Sequence, residues 1–406
     1  MSDSEVLSAE PGGVADLGRP LRLHPLVYLP DGDDVTVGRR DIDSYAVLPP
    51  DGAALVRKME EGLPPAAAAL WYEAEYGEPV DIADVVGALH EFEFVRSADG
   101  MAPEAPAVRW QRTGRALFSP PAWFLYGALA VWALVAMVVH ADLRPTYRNI
   151  FYVEYYSVIQ ATLFVAALPL LLLHESFHAL AGRRLGLPSS LHVGRRLYFI
   201  VLETSMDGLV SVPRRQRYLP IVAGIMVDLV VVAGLTVAAD LTRQPGGALS
   251  LGGRFCLAVA FATLLRVAWQ FSFFLRTDLY VLVSTALGCV DLHTAAKQAV
   301  ANKVHRLLGR RDRLHDESAW HPVDRRVVRW YSWFVLVGYA VSLTTFALAL
   351  APVTYFMFRG VFTRLADGSG ATALQLLDST VFLTFSLVPI VVYGLLALRD
   401  RRRKRV

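Results

Sequence analysis

The pattern of hydrophobic and polar positions changes near position 118. Before it, charged residues, prolines and alternating apolar residues are mixed as in a soluble domain, whereas long apolar stretches follow it. A helix needs about 20 apolar residues to cross a hydrocarbon core of about 30 Å. Six stretches meet this requirement and predict membrane-spanning helices: 121–140, 157–182, 219–241, 255–275, 331–357 and 373–398. The segment 279–292 is apolar but short, which predicts an interfacial or re-entrant helix.

The polar first part predicts a small domain of strands and helices. Runs with alternating apolar residues predict strands at 26–29, 35–38 and 44–47, and the turn DGDD predicts a hairpin between the first two. Three helices are expected, among them PDGAALVRKMEEG and VDIADVVGALHEFEFV, which have helical spacing of apolar residues. Asp81 is the expected N-cap of the latter. These elements indicate a domain of the winged-helix type.

The predicted fold class is therefore a polytopic α-helical membrane protein with about six transmembrane helices and an N-terminal α+β winged-helix-like cytoplasmic domain. The start of the chain is polar and has no signal-peptide pattern. The expected parts are, in order, a disordered lead (1–18), the winged-helix-type domain (19–97), a linker (98–118), a membrane core (119–292), a basic cytoplasmic loop (293–329), two C-terminal transmembrane helices (330–398) and a basic tail (399–406).

Composition agrees with a membrane protein, because 54% of the residues are hydrophobic and only 19% are charged. The two cysteines, Cys256 and Cys289, lie in apolar stretches and indicate neither a disulfide framework nor a CxxC metal site. The four histidines of the basic loop have no metal-site spacing and predict a solvated surface: His293, His305, His315 and His321.

The net charge of +3 says little about partners, but the distribution of the charge is informative. Basic residues are concentrated in 183–217, in 293–329 and in the tail RDRRRKRV, whereas the loops between these regions carry few. The positive-inside rule then places both termini in the cytoplasm of a multi-pass protein. We interpret the tail as an orientation signal at the lipid bilayer, so no nucleic-acid partner is expected.

The motif HESFH places two histidines and a glutamate at the end of an apolar stretch, where ionisable side chains are costly. On a helix His174 and His178 share a face and can ligate one ion, while Glu175 lies beside it. A catalytic zinc takes three protein ligands and keeps one position for water, whose pKa falls to about 7. Glu175 would act on that water as general base. The alternative is a chance HExxH on a solvated helix, which the apolar setting disfavours.

The residues alone leave the third ligand open among several candidates: Asp228, Asp278, Glu203, Asp207 and His192. Asp278 follows a span expected to run parallel to the motif helix, although straight-helix geometry places it too shallow unless the segment tilts, unwinds or re-enters. Asp228 lies deeper, so a contact with a metal ligand or with substrate suits it better, and Arg276 is a further candidate for that role. Asp278 could instead pair with Arg276. Arg266 is expected to pair with Asp228 or Asp278.

Three stretches resemble the site-2 protease family of intramembrane zinc metalloproteases, especially its bacterial branch of peptide zinc metalloproteases: HESFHALAGRRLG (174–186), SVPRRQRYLPIVAGIMVDLV (211–230) and FLRTDLYVLVSTALG (275–288). The resemblance implies a Zn²⁺ cofactor held by His174, His178 and Asp278, with Glu175 as general base. It also implies cleavage of a peptide or membrane-protein substrate near the cytoplasmic side of the bacterial plasma membrane.

The first domain is similar to PqqD-like peptide-recognition domains through GRRDIDSYAVLPPDGAALVRKMEEG (38–62) and EPVDIADVVGALHEFEFV (78–95). This similarity implies binding of a leader peptide by strand addition, and a purely structural domain is the alternative. An alternative function follows, namely a non-catalytic membrane partner of a modified-peptide maturation or export system. A transporter is a third alternative, although no matching pair of broken half-helices supports it.

Overall fold

The computed structural model describes residues 17–39, 41–42, 44–96, 108–196, 199–205, 208–366 and 370–403. The chain divides into two compact units. One contains Met1–Ala107 and Asp207–Arg217, and the other contains Val108–Met206 and Tyr218–Val406. The predicted lead lies almost entirely outside the described residues, as do the end of the basic tail and much of the predicted linker.

The first unit contains the predicted three-stranded sheet. Its strands β1 (Val27–Asp31), β2 (Asp34–Arg39) and β3 (Ser44–Leu48) are antiparallel in the order β1-β2-β3. Asp31 pairs with Asp34, so the hairpin predicted at DGDD is confirmed. Gly32 makes the turn with a φ of 73°, a conformation that glycine adopts without steric cost.

Three helices pack with this sheet: α1 (Pro50–Glu60), α2 (Pro65–Tyr76) and α3 (Ile82–Glu91). The predicted cap is confirmed, because the Asp81 carboxylate accepts the backbone N–H groups of Ala83 and Asp84 at the start of α3. The core of the unit is apolar and includes Val37, Leu55, Met59 and Phe94.

The second unit is mainly helical. Its helices are α4 (Gln111–Leu117), α5 (Pro120–Val139), α6 (Tyr156–Arg184), α7 (Arg214–Leu241, whose first turn belongs to the first unit), α8 (Leu251–Trp269), α9 (Asp278–Leu287), α10 (Leu292–Leu307), α11 (Pro322–Thr345), α12 (Ala351–Ala366) and α13 (Ala373–Arg403). A two-stranded antiparallel sheet of β4 (Ser190–Arg196) and β5 (Phe199–Ser205) follows α6. Neither this hairpin nor α4, which lies inside the predicted linker, was predicted from the sequence.

Five helices of the described chain are long and apolar enough to cross a membrane. Four are α5, α6, α7 and α8, and the fifth is Val337–Ala366, in which a π-helical stretch, Phe346–Leu350, joins α11 to α12. The sixth predicted span, 373–398, is helical as part of α13. The apolar part of α13 among the residues whose side chains are described is Ala373–Val388.

The helix predicted over 279–292 is wrong in extent. The chain forms two helices there, α9 and α10, which meet at an angle of 95°. Taken together they form either one broken span or a re-entrant segment, and the latter agrees with the prediction. Gly288 ends α9 in the left-handed conformation, and the Asp291 side chain caps α10 by accepting the Thr294 N–H. Most of α10 and the first turns of α11 therefore occupy the stretch predicted as a basic loop.

A buried carboxylate from α13 fixes the beginning of α6, the helix that carries the HESFH motif. Asp378 accepts the backbone N–H groups of Tyr156 and Ser157 at 2.9 and 2.8 Å and forms an ion pair with Arg364 at 3.0 Å. The first N–H groups of a helix have no hydrogen-bond partner within the helix. The Asp378 side chain supplies that partner and thereby anchors the start of α6.

Candidate metal centre

Both histidines of the HESFH motif are buried in the last three turns of α6. His174 and His178 are each 4% exposed, and their Nε2 atoms lie 3.2 Å apart. This separation follows from the four-residue interval, which places the two side chains one above the other on one face of the helix.

Asp278 reaches the histidines because the chain unwinds before it. Helix α8 ends at Trp269, a 3₁₀ turn spans Phe273–Leu275, and Arg276 takes a left-handed φ of 53° before α9 begins at Asp278. The Gln270 side chain accepts the Asp278 N–H at 3.0 Å. This unwinding brings Asp278 to the depth of the histidines, which a straight helix would not do.

The Oδ2 atom of Asp278 lies 3.3 Å from the Nε2 atoms of both His174 and His178. Tetrahedral zinc with bonds of about 2.0–2.1 Å requires ligand atoms roughly 3.3–3.4 Å apart. An octahedral magnesium site with similar bonds would bring adjacent ligands to about 2.9 Å and would use oxygen rather than imidazole. The spacing and the donor atoms therefore fit a tetrahedral zinc ion.

Two further observations point to a cation among these three atoms. Asp278 Oδ2 is buried and has no hydrogen-bond partner among the described residues. Within the same residues, His174, His178 and Asp278 are also the one group of His, Cys, Asp or Glu side chains whose ligand atoms lie within 4.8 Å of one another. The structure gives the basic-loop histidines no such group.

The outer nitrogen of each imidazole is held by α7. His178 Nδ1 lies 2.7 Å from the carbonyl oxygen of Pro220, and His174 Nδ1 lies 3.0 Å from Asp228 Oδ2. A carbonyl oxygen only accepts, so His178 donates from Nδ1 and its neutral ring carries the lone pair on Nε2. The Asp228 carboxylate favours the same tautomer of His174. Two lone pairs and a carboxylate thus converge, which is repulsive unless a cation lies between them.

The helix that holds the imidazoles also leaves space at their inner nitrogens. Gly224 lies midway between Pro220 and Asp228, so the three positions share one face of α7 at four-residue intervals. A Cβ atom on Gly224 would lie 2.3 Å from His178 Nε2 and 2.5 Å from His174 Nε2. Only glycine leaves this volume open, and it adjoins the position that an ion would take.

Asp228 is buried, with 1% exposure, and its charge is compensated by Arg266 from α8. Arg266 donates from Nε to Oδ2 at 2.9 Å and from Nη2 to Oδ1. This bidentate pairing confirms the expected partner of Arg266 and selects Asp228 over Asp278. Asp228 therefore supports His174 rather than joining the three converging atoms.

Glu175 is buried beside the histidines and is attached to β5. Its Oε2 accepts the backbone N–H of Thr204 at 2.9 Å, and the Thr204 hydroxyl donates to the Glu175 carbonyl at 3.0 Å. The short apolar run FIVL, which contains two β-branched residues, was the sequence signal that could have predicted this strand. The side chains of Glu203 and His192, and Asp207, lie outside the described part of the chain.

Arg276 is not one of the residues whose ligand atoms converge, and its contact with substrate stays a prediction. Its side chain is 54% exposed, and its Nη2 lies 3.9 Å from Asp291 Oδ1. The alternative pairing of Arg276 with Asp278 is therefore wrong, because Asp278 faces the histidines. What Arg276 contributes in the structure is the left-handed backbone turn that precedes α9.

The chain matches no protein-family model, no curated protein and no solved structure. The chemistry of the site has to be inferred from its geometry.

Proposed function

We propose that this protein is a zinc-dependent endopeptidase embedded in a membrane. The observation that carries the proposal is the near-equal spacing, 3.2, 3.3 and 3.3 Å, of His174 Nε2, His178 Nε2 and Asp278 Oδ2. Three protein ligands leave one position of a tetrahedral ion open, as in catalytic rather than structural zinc sites. When bound, zinc polarises a carbonyl and lowers the pKa of its water to about 7.

The side chains around the ion have separate tasks in this proposal. His174, His178 and Asp278 hold the metal, and the contacts of Asp228 and Pro220 keep the imidazoles in the tautomer that binds it. The Glu175 carboxylate accepts a proton from the attacking water and returns it to the amine nitrogen as the peptide C–N bond breaks. The hydrogen bond from the Thr204 N–H holds Glu175 beside the histidines for both transfers.

The membrane setting rests on the five long apolar helices. His174 lies ten residues before Arg184, so it is roughly 15 Å from the end of α6. That end carries Arg183 and Arg184 in its last turn, which indicates the cytoplasmic side. We therefore propose cleavage near the cytoplasmic face. We also propose that α13 crosses as a sixth span, so that both termini lie in the cytoplasm of a bacterial cell. Reporter fusions after residue 245 and after residue 406 test this topology, since only the second should report a cytoplasmic location.

The substrate class that fits is a peptide or a membrane-protein segment delivered in extended form. In the first unit β1 and β3 are the outer strands of an antiparallel sheet, and an outer strand can pair with an added strand. This supports a role for the first unit in binding a leader peptide. In the alternative function, a non-catalytic membrane partner, such binding would suffice and the metal centre would be dispensable.

Metal analysis and one isosteric substitution test the proposal. Protein purified in mild detergent should contain one zinc per chain, and His174→Ala should lose it. In membranes of the expressing cells, cleavage by the wild type should create products with new N-termini. Glu175→Gln should keep the zinc but create none of these products. The matched control, Glu154→Gln, changes an exposed carboxylate and should cleave normally. A wild type without stoichiometric metal, or a Glu175→Gln variant that creates the same termini, would overturn the proposal.

A further inference from the structure

A basic groove lies between α10 and α11, within the second unit. It has a volume of about 640 Å³, and five cationic side chains line it: Lys303, Arg306, Arg325, Arg326 and Arg329. One acidic residue, Glu317, belongs to its wall. The groove is therefore strongly positive, and it has no part in the metal centre.

The cations come from one face of each helix. On α10, Ala296, Ala299, Lys303 and Arg306 follow one another at intervals of three or four residues. On α11, Arg325 lies three residues after Pro322, Arg326 lies four residues after it, and Arg329 lies three residues after Arg326. Side chains at this spacing share a face, so two helix faces converge on the same volume.

Two of the five cations already have structural partners. Arg306 forms an ion pair with Glu317 at 2.8 Å, and Arg325 donates to the Ser318 carbonyl at 2.7 Å, so both hold the connection between the helices. Among the described residues, no carboxylate lies within ion-pair distance of Lys303, Arg326 or Arg329. These three cations are available to an anionic ligand.

The remaining walls are apolar or aromatic. Trp320 lies at one side with its indole N–H donated to Gln298 Oε1 at 2.5 Å, and Tyr331 is 4% exposed with its hydroxyl donated to the Phe273 carbonyl at 3.2 Å. Because its indole N–H is occupied within the protein, Trp320 offers apolar surface to a ligand, beside Val328 and the two alanines, while Tyr331 is a buried part of the wall. A ligand that is anionic at one end and apolar at the other fits this lining.

The position of the groove along α11 identifies the source of such a ligand. Arg329 is the last charged residue before the apolar part of α11, which begins at Trp330, and Arg325 and Arg326 lie in the turn before it. Leu307 and Leu308 at the end of α10 are exposed. Cations within about two turns of the start of an apolar span lie at the depth of lipid headgroups.

We propose that the basic groove binds the phosphate headgroup of an anionic phospholipid, with Lys303, Arg326 and Arg329 as its ligands. The inference rests on the membrane placement within the proposed function but not on zinc or proteolysis. A phosphodiester oxygen accepts bidentate hydrogen bonds from a guanidinium, which makes the two arginines the main contributors. The acyl chains would extend along the apolar part of α11.

The test measures lipid binding to the full-length protein in a neutral detergent by titration calorimetry. The probes are dihexanoyl phosphatidylglycerol, dihexanoyl phosphatidylcholine, glycerol 3-phosphate and inorganic phosphate. Phosphatidylglycerol should bind saturably and at least tenfold more tightly than the other three. In the double variant Arg326→Gln/Arg329→Gln this affinity should fall by about 30-fold, given roughly 1 kcal/mol per cation near an anionic headgroup.

The matched control is Arg310→Gln/Arg311→Gln, which removes the same charge from the exposed connection outside the groove. It should bind phosphatidylglycerol within twofold of the wild type, and both double variants should unfold at the wild-type temperature. Equal losses of phosphatidylglycerol affinity in the two double variants would show nonspecific electrostatic attraction and overturn the proposal. Equal affinity for glycerol 3-phosphate would identify a soluble phosphate ligand and overturn it as well. The zinc content, measured on the same samples, reports separately on the proposed protease.

Discussion

The Nδ1 atom of His174 donates to the Oδ2 atom of Asp228 at 3.0 Å, and this contact joins the metal centre to a buried ion pair. Asp228 is held in turn by two hydrogen bonds from Arg266. The imidazole is thereby connected to a fixed carboxylate rather than to water. Two helices other than α6, namely α7 and α8, therefore set its orientation.

Replacing Asp228 by asparagine should weaken zinc binding by about 10- to 100-fold, the range found when a partner of a metal-ligating histidine is lost. The amide keeps the shape but removes the charge that favours the Nε2 lone pair on His174, and it leaves Arg266 without its ion pair. The measurement is competition for zinc against a chelator of known affinity.

Adding Arg266→Gln to Asp228→Asn separates these two effects. The double variant should unfold at a higher temperature than the single variant, because no unpaired charge remains buried, yet its zinc affinity should stay low. Wild-type zinc affinity in Asp228→Asn would contradict the role assigned to Asp228.

Replacing Gly224 by alanine should abolish stoichiometric zinc binding. Its Cβ would come within 2.3–2.5 Å of both Nε2 atoms, so the methyl group would displace the rings or occupy the volume next to the ion. In most helix interiors the same change stabilises the helix by up to about 1 kcal/mol. A loss of zinc would therefore be an effect of this position and not of the substitution in general. Metal content after dialysis is the measurement.

Gly234 in the same helix is the matched control for that substitution. A Cβ there would meet only Leu129 Cδ2, at 3.8 Å, which is ordinary contact. Gly234→Ala should therefore keep one zinc per chain and unfold at the same or a slightly higher temperature. Equal zinc loss in both variants would show that α7 tolerates no added methyl group anywhere. It would contradict the interpretation that Gly224 is needed to leave space for the ion.

Asp378→Asn should lower the stability of the protein by roughly 1–3 kcal/mol, because buried N–H groups at the start of α6 and the Arg364 guanidinium would lose a charged acceptor. Thermal unfolding in detergent is the measurement. The control, Asp312→Asn, alters a side chain that is 78% exposed and should leave the unfolding temperature unchanged. Zinc affinity at low temperature should remain normal, since Asp378 acts at the opposite end of α6 from the histidines.

Acidification should destabilise the first unit through His24. Burial, together with the positive charges of Arg39 and Arg96, lowers the pKa of His24 below its usual value, although Asp41 opposes the shift. Below a pH of about 6.5 the unfolded chain therefore binds the proton more readily than the folded one, and stability falls as the pH decreases toward the lowered pKa.

The pH effect is measured by pulse proteolysis of the full-length protein in urea at pH 7.5 and 5.5, following the fragment that contains residues 20–96. The urea midpoint should fall with pH in the wild type and fall less in His24→Gln, which has no imidazole to titrate. An identical fall in both proteins would assign the effect to other groups.

The sequence predicted those parts of the site that depend on local geometry. His174 and His178 converge because a helix places positions four apart on one face, and no other part of the fold is needed for that. The three strands and the Asp81 cap of the first unit were predictable for the same reason: alternation, turn residues and capping chemistry are all local.

The parts that the sequence left open or missed depend on tertiary contacts. The approach of Asp278 requires the chain to unwind over 270–277, which is stabilised when Gln270 and Thr277 bond across the turn. Helix α4, missed within the linker, packs so closely on α6 that a Cβ on Gly114 would lie 2.3 Å from the Leu180 carbonyl. No periodicity in the sequence signals either arrangement.

One helix, α7, holds both imidazoles, because it carries the hydrogen-bond partners of His178 and His174 at a fixed spacing. Pro220 and Asp228 are two turns apart, so inserting or deleting one residue between them would turn one relative to the other by about 100°. In such a variant only one of the two histidines could keep its hydrogen-bond partner on α7. Residues 221–227, with the exception of Gly224, can therefore vary in kind but not in number, because a change in number would misplace one of the two imidazoles.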